Sequence, residues 1–406
     1  MHPKELSIEQ FDYDLPESKI AFTAVEPRDH SKLLMVTPTG MADHMFYDLP
    51  NLLDSHSILI ANNSKVIPAR IIVEVNHKAH VEIFLLEPQP PDDYYSVFNR
   101  SGAEGCTWLC FIGKARKWKA QQLLTLNVPA LDATISFERL EQRDNAHLVR
   151  LTWNTSHPLS LVLEHVGKMP LPPYITREAD ANDAQRYQTA YSEVLGSVAA
   201  PTAGLHFTRQ LLDSIIQRGI ATHYVSLHVG AGTFAPVKAM HMADHAMHAE
   251  QFTVSVALLE SLLQALQAGK KVVAVGTTSM RTLESLYWIA LQLKQQDEHF
   301  TYLSQWTAYD EAPGQFSSID AVEILLEYLR KEQSTSLNCA TQIIIAPGYT
   351  FRFVDQLITN FHQPKSTLLL LIAAFVGIDQ WPKIYDHALN SSYRFLSYGD
   401  SSLLIR

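Results

Sequence analysis

The chain has 406 residues, of which 47% are apolar and 18% charged, with a formal net charge of −10. These values exclude a disordered chain and argue against broad, nonspecific nucleic-acid binding, while leaving room for a local basic face. Three cysteines exclude a disulfide framework and point to a reducing compartment, the cytoplasm.

In chain order, F-D-Y-D-L before Pro16 alternates apolar and acidic residues and predicts a short edge strand followed by a turn. Strands are predicted over Ser31–Thr37 and Ser57–Ala61. From about Ile71 to Trp153 short β-rich runs dominate (R-I-I-V-E-V, H-V-E-I-F-L-L-E, T-W-L-C-F-I-G, Q-L-L-T-L-N-V, A-T-I-S-F-E-R-L), which predicts a small barrel or sandwich. The Pro88–Asp93 loop is longer than a tight hairpin and reads as mobile. Cys106 and Cys110 fall on one of these strands with no second pair, so no zinc site is expected. After the proline-rich connector G-K-M-P-L-P-P-Y-I-T-R, helices and strands alternate. Helices are expected at Leu211–Gln217, Ala257–Ala268, Thr282–Leu293, Asp320–Lys331 and Thr367–Phe375. Strands are expected at Val225–His228, Lys271–Val275 and Gln342–Ile345. The fold class is α/β: a large barrel-like α/β domain (1–68 and 158–406) with a small all-β barrel domain (69–157) inserted into it. The longest apolar run, Leu368–Val376, is too short to span a bilayer, and the N-terminus lacks a signal-peptide core, so no membrane association is expected.

Several stretches carry chemistry-bearing residues. A-P-T-A-G-L-H-F and S-L-H-V-G-A-G-T-F-A-P-V each place a histidine, His206 or His228, beside glycines, a pattern of loops built around a ligand. In K-V-V-A-V-G-T-T-S-M-R a strand meets Gly276 and a helix start. Free N–H groups, Thr277, Thr278 and Ser279 there suit a carboxylate, a phosphate or ribose hydroxyls, and equally suit plain helix capping. Arg281 can hold a carboxylate or pair with Glu284. His241, His245 and His248 would share a helix face, but without supporting acidic or cysteine ligands no metal is expected. Glu250, after that run, is a candidate base or ribose partner. Asp355, Asn360, His362, Lys365, Ser366 and Thr367 gather before an apolar helix, where Lys365 can meet an anion. I-G-K-A-R-K-W-K offers Lys114, Arg116, Lys117 and Lys119 to a phosphate backbone and Trp118 to a base.

Taken in order, R-Y-Q-T-A-Y, V-A-A-P-T-A-G-L-H-F, S-L-H-V-G-A-G-T-F-A-P-V, H-A-M-H-A-E, A-V-G-T-T-S-M-R-T-L-E-S, A-P-G-Y-T-F, L-I-T-N-F-H-Q-P-K-S-T-L-L and Y-R-F-L-S-Y-G-D are similar to the S-adenosylmethionine:tRNA ribosyltransferase-isomerases of queuosine biosynthesis. The resemblance spans nearly the whole chain. It implies a barrel-like α/β domain with an inserted β-barrel. It also implies transfer of the ribosyl part of S-adenosylmethionine onto 7-aminomethyl-7-deazaguanine at the tRNA wobble position, giving epoxyqueuosine, adenine and methionine. S-adenosylmethionine enters as substrate, and no cofactor or metal is implied. His206, His228 and Glu250 become the acid/base expectations. Thr202, Gly204, Gly230, Gly232, Thr233, Gly276, Thr277, Thr278, Arg281, Asp355, His362 and Lys365 become the substrate-binding ones. Lys65, Arg70, Lys114, Arg116, Lys117, Lys119 and Arg177 are the expected tRNA contacts, and a monomer or weak oligomer is expected. The sequence departs from the family pattern at Asn63, where aspartate is usual, at Gln363, in the basic run and at Phe22 and Thr23. Those departures keep two alternatives open: a paralogue acting on another acceptor, and a noncatalytic tRNA- or nucleotide-binding protein.

Overall fold

A computed structural model describes residues 2–75, 79–102, 104–119, 121–180, 182–230, 237, 239–310 and 316–406. Ten strands form the main sheet, in the order Tyr302–Leu303, Ser336–Thr341, Glu250–Ser255, Ala221–Leu227, Ser57–Asn62, Lys271–Val275, Gln356–Asn360, Ser401–Ile405, Lys32–Thr37 and Gly40–Met45. The four central strands, Ala221–Leu227 through Gln356–Asn360, run parallel. Side chains alternate across a strand, and here alternate residues feed two cores. Ile58, Ile60, Val272, Ala274 and Leu357 pack under the helices Val256–Gln267, Gly276–Lys294 and Ser318–Lys331. Leu59, Ala61, Val273, Val275 and Ile358 pack on the other face with helix Arg209–Gln217. Ser57–Asn62 is buried along its whole length, as a strand covered on both faces must be.

The second sheet is antiparallel throughout, in the order Gly167–Lys168, Arg70–Val75, Ala79–Pro88, Cys106–Gly113, Ala146–Trp153, Ala133–Arg143, Leu124–Val128. It curls until Arg70–Val75 approaches Leu124–Val128. Its core is separate from the other two, and it takes in Leu159, Val162 and Leu163 of helix Leu159–Val166. The packing of this layer therefore extends past residue 157 to Lys168.

Several sequence expectations shift. Residues 12–16 form no strand: Ile8–Phe11 is a 3₁₀ turn that buries Ile8 and Phe11, three apart, on one side. Ala146–Trp153, a strand the sequence reading passed over, pairs with two neighbours. The strand expected at Gln342–Ile345 lies at Ser336–Thr341, and the chain beyond it stays extended through Gln342 N–H to Leu303 O at 2.8 Å. The long helix starts at Gly276, six residues before the expected position. The Pro88–Asp93 loop runs into helix Tyr94–Asn99, capped by Asp93 Oδ1 accepting from Ser96 N at 2.7 Å. His241, His245 and His248 do not share a helix face, because only Met242–Asp244 makes a single 3₁₀ turn. Among the described residues no group of three or more His, Cys, Asp or Glu side chains gathers as a metal site. Trp118 is 1% exposed and donates Nε1–H to Gln122 O at 2.8 Å, so it belongs to the core of its layer and cannot stack on a base. Among the described residues no single helix is long and apolar enough to cross a membrane.

Candidate active site

A pocket opens at the carboxyl ends of the central parallel strands. Parallel α/β sheets place ligands there because the strand ends and following loops leave a crevice. Three distant motifs form its walls: Ala199–Ala203, Gly276–Thr278 and Thr359–Gln363, with Tyr174 of the proline-rich connector and Leu396–Ser397 closing the sides. Each wall has a local cause. Gly276 takes φ +85°, which turns the chain from strand Lys271–Val275 straight into the helix and leaves the first N–H groups facing the pocket end. Gly204 sits against Tyr191, whose hydroxyl would lie 2.2 Å from an added Cβ, so any larger residue would push Ala203 and Thr202 out of place. Ser366 caps helix Thr367–Val376 by accepting from Leu369 N at 3.3 Å and fixes the turn after Gln363.

The histidines divide among three environments. His362 lines the pocket, with Nε2 2.9 Å from Thr359 Oγ1, and burial pulls it down to about 4. His206 does not line it. It lies one layer behind, with Nδ1 2.8 Å from Ser31 Oγ and Nε2 3.1 Å from Asn360 Nδ2, and burial pulls it down to about 3. Both ring nitrogens of His206, expected as an acid/base group, are engaged within the fold, and the residue stands behind the pocket wall. His228 points the other way, into a cleft beside the second sheet. There it stacks on Tyr94, ring centroids 4.3 Å apart at 21°, and burial pulls it down to about 4. Its neighbour Val229 is the one that faces the pocket.

Thr202, Gly276, Thr277, Thr278 and His362 are the expected substrate residues that the fold brings together. Gly204 stands behind them, Gly230 meets nothing within 4 Å of a built Cβ, and Gly232 and Thr233 lie outside the described residues. Four other expected site residues are placed away from the pocket wall. Glu250 and Arg281 form an ion pair buried to 4% and 7% side-chain exposure, with Arg281 Nε also donating to Ile343 O at 3.2 Å. Neither lines the pocket, and Arg281 does not pair with Glu284. Asp355 precedes strand Gln356–Asn360, so it sits at the end of the sheet away from the pocket, accepting from Val272 N at 2.9 Å and Lys271 Nζ at 3.3 Å. Lys365 is tied to Glu9 at 2.7 Å and Asp12 at 3.1 Å, which cancels its charge outside the pocket.

A family model described as "Queuosine biosynthesis protein" matches residues 8–404. The chain belongs to this family. It is 37% identical to the S-adenosylmethionine:tRNA ribosyltransferase-isomerase of Methylocella silvestris, over 98% of this chain and 98% of that protein. It is also 37% identical to the proteins of the same name from Desulfitobacterium hafniense, over 98% of this chain and 100% of that one, and Brucella ovis, over 99% and 98%. A crystal structure of S-adenosylmethionine tRNA ribosyltransferase from Thermotoga maritima is 26% identical, with a TM-score of 0.47 over 98% of this chain and 100% of that one.

The departures of this queuosine-family chain have visible settings. Asn63, where aspartate is usual, accepts from Ser226 Oγ at 2.6 Å, a bond a carboxylate would accept equally. Gln363 lines the pocket. Of the expected tRNA contacts, Lys114, Arg116, Lys117 and Lys119 stand exposed on the second sheet's layer, while Lys65 is half-buried. Arg70 is held by Glu82 at 2.9 Å and lies over the Phe84 ring, and Arg177 is held by both oxygens of Asp183 at 2.6 and 2.7 Å. The charges of Arg70 and Arg177 are each paired with a carboxylate within the fold. Residues that the sequence did not single out include Tyr174, Ser397, Thr359 and Ser31. The first three lie inside the quoted motifs or connector, but nothing in their spacing shows that chain ends so far apart meet.

Proposed function

We propose that this family member transfers and isomerises the ribosyl part of S-adenosylmethionine onto 7-aminomethyl-7-deazaguanine at the wobble position of tRNA, with release of adenine and methionine. The observation that carries the reading is the pocket, where three family motifs far apart in sequence meet at the carboxyl ends of the parallel strands. The relatives' names supply the reaction.

The pocket's chemistry suits a charged donor. Helix Gly276–Lys294 directs free N–H groups and its positive dipole end at a carboxylate or ribose oxygens, with Thr277 and Thr278 as further donors. The sulfonium makes the adjacent C5′ protons acidic, so the reaction needs a base there and then an acid for departing adenine. His362, neutral at physiological pH because burial pulls it down to about 4, is the pocket-lining group in base form. It takes the C5′ proton in this reading and returns one as adenine leaves. The exposed cations at 114–119 meet the tRNA backbone. The few cysteines fit a cytoplasmic enzyme.

The test is adenine release by purified protein given S-adenosylmethionine and tRNA carrying the aminomethyl-deazaguanine. Release should depend on that modified base. Equal release with tRNA bearing ordinary guanine, or without tRNA, would point to another acceptor or to hydrolysis and sink the reading.

A further inference from the structure

The geometry points to Asn360 as the acceptor through which the pocket recognises a hydrogen-bond donor, N–H or O–H, of the ribosyl donor, with Ser31 and His206 holding its amide in that orientation. This rests on the donor being S-adenosylmethionine.

Asn360 ends a central strand, is 2% exposed and lines the pocket. Its Nδ2 faces Leu396 O at 3.2 Å, Asp400 O at 3.4 Å and His206 Nε2 at 3.1 Å. Two of those partners are carbonyls, which only accept, so the NH₂ must lie on that side. The two amide hydrogens serve the shorter contacts, to Leu396 O and His206 Nε2, and the longer contact to Asp400 O shares one of them; His206 Nε2 then accepts, its hydrogen sits on Nδ1, and Nδ1–H donates to Ser31 Oγ at 2.8 Å. Burial keeps the ring neutral, which this pattern requires. The orientation leaves Asn360 Oδ1 buried with no partner among the described residues, in a residue on the pocket wall. Buried acceptors are ordinarily paired, and an unpaired one at a ligand site awaits a donor from the ligand. Thr278 Oγ1, in another wall, is also buried and has no partner among the described residues. Asn360 Oδ1 can only accept, so its ligand must bring an N–H or O–H group. S-adenosylmethionine offers the 6-amino group of adenine, the α-ammonium of methionine and the 2′ and 3′ hydroxyls of its ribose. His206 is then a positioning residue that never touches the donor.

The experiment uses the full chain and five probes: S-adenosylhomocysteine, S-inosylhomocysteine, in which an oxo group replaces the 6-amino group, the analogue lacking the α-amino group, and the 2′-deoxy and 3′-deoxy analogues. Calorimetry on the wild type should show roughly tenfold or greater preference for the first over one of the other four, and the disfavoured analogue identifies the donor. Asn360→Ala should bring that preference within about threefold. His206→Leu should do the same, raising KM for S-adenosylmethionine about tenfold while kcat for adenine release stays within about threefold. His206→Gln, which keeps an acceptor and a donor, should restore most of the preference. Equal binding of all five probes by the wild type would overturn the inference. So would full preference in Asn360→Ala, or a His206→Leu that loses about a hundredfold in kcat at unchanged KM. If the preference depends on Asn360 but adenine is never released, the transferase reading falls and the recognition stands. Failure of every probe to bind overturns both.

Discussion

Three histidines are held neutral by burial, His206 near 3, His228 and His362 near 4, against an ordinary value of 6.5. A histidine whose folded value is depressed stabilises the fold above the unfolded value, and that stability is lost as pH falls toward the folded one. Each such group adds a slope of up to about 1.4 kcal/mol per pH unit in that window. Glu284 and Asp400, raised by burial, act in the opposite direction and soften the fall. Melting temperature should therefore drop between pH 7 and pH 5, and His228→Phe should reduce the steepness by about one proton; an unchanged profile in that variant would show that His228 does not titrate on unfolding. The second residue-scale prediction concerns Glu250 and Arg281. Arg281→Met strands a buried carboxylate and should cost about 3–5 kcal/mol in denaturant unfolding, whereas Arg281→Met with Glu250→Leu should recover most of it. Equal losses in single and double variants would mean the charge pairing is not what matters. The sequence showed each of these side chains as chemistry-bearing but not what it faced. Glu250 and Arg281 are thirty-one residues apart, and only the fold reveals that they pair with each other.

At the scale of elements, the periodic helices and apolar strands were legible because their own residues determine them. Lys271–Val275 and the helices from Val256 and Thr367 begin and end within a residue of their expected places. Boundaries failed where long-range partners decide. Glu284 is such a case: its buried carboxylate accepts from the backbone N–H groups of Arg352, Phe353 and Val354 at 2.8, 3.0 and 3.0 Å and from the Tyr349 hydroxyl at 3.0 Å. Those bonds hold an irregular segment that no local pattern predicts. The start of helix Gly276–Lys294 is another, since a left-handed glycine lets the helix begin at the strand's last residue. Gly276→Ala tests it. An added Cβ meets Thr278 Oγ1 at 3.6 Å and Ala203 Cβ at 3.7 Å, ordinary contacts, so the penalty is backbone strain at φ +85° of about 1–2 kcal/mol. Denaturant unfolding should show that loss, and KM for S-adenosylmethionine should rise because the N–H groups at the pocket turn away. A stability loss with unaltered KM would remove this turn from the binding site.

For the whole molecule, alternation of strand and helix revealed a parallel α/β layer and the β-rich stretch an inserted second layer, yet no sequence pattern gives the order in which ten strands assemble. That order brings Gly276 beside Asn360 and sends Asp355 to the far end of the sheet. It also leaves the chain's overall charge of −10 uninformative about its local faces. Arg70 and Arg177 are neutralised by neighbouring carboxylates, so the proposed tRNA contacts on the second layer reduce to the exposed Lys114, Arg116, Lys117 and Lys119. Each contact between such a cation and a phosphate displaces a counterion and contributes about 0.7–0.9 to the slope of log affinity against log salt. Replacing all four by serine should flatten that slope by roughly 3 and weaken tRNA binding most at low salt. These side chains are exposed and remote from the pocket wall, so calorimetric binding of S-adenosylhomocysteine and thermal stability should stay at wild-type levels. Adenine release should then fall through a higher KM for tRNA, recovering at saturating tRNA. An unchanged salt slope in the fourfold variant would move the tRNA path off this face.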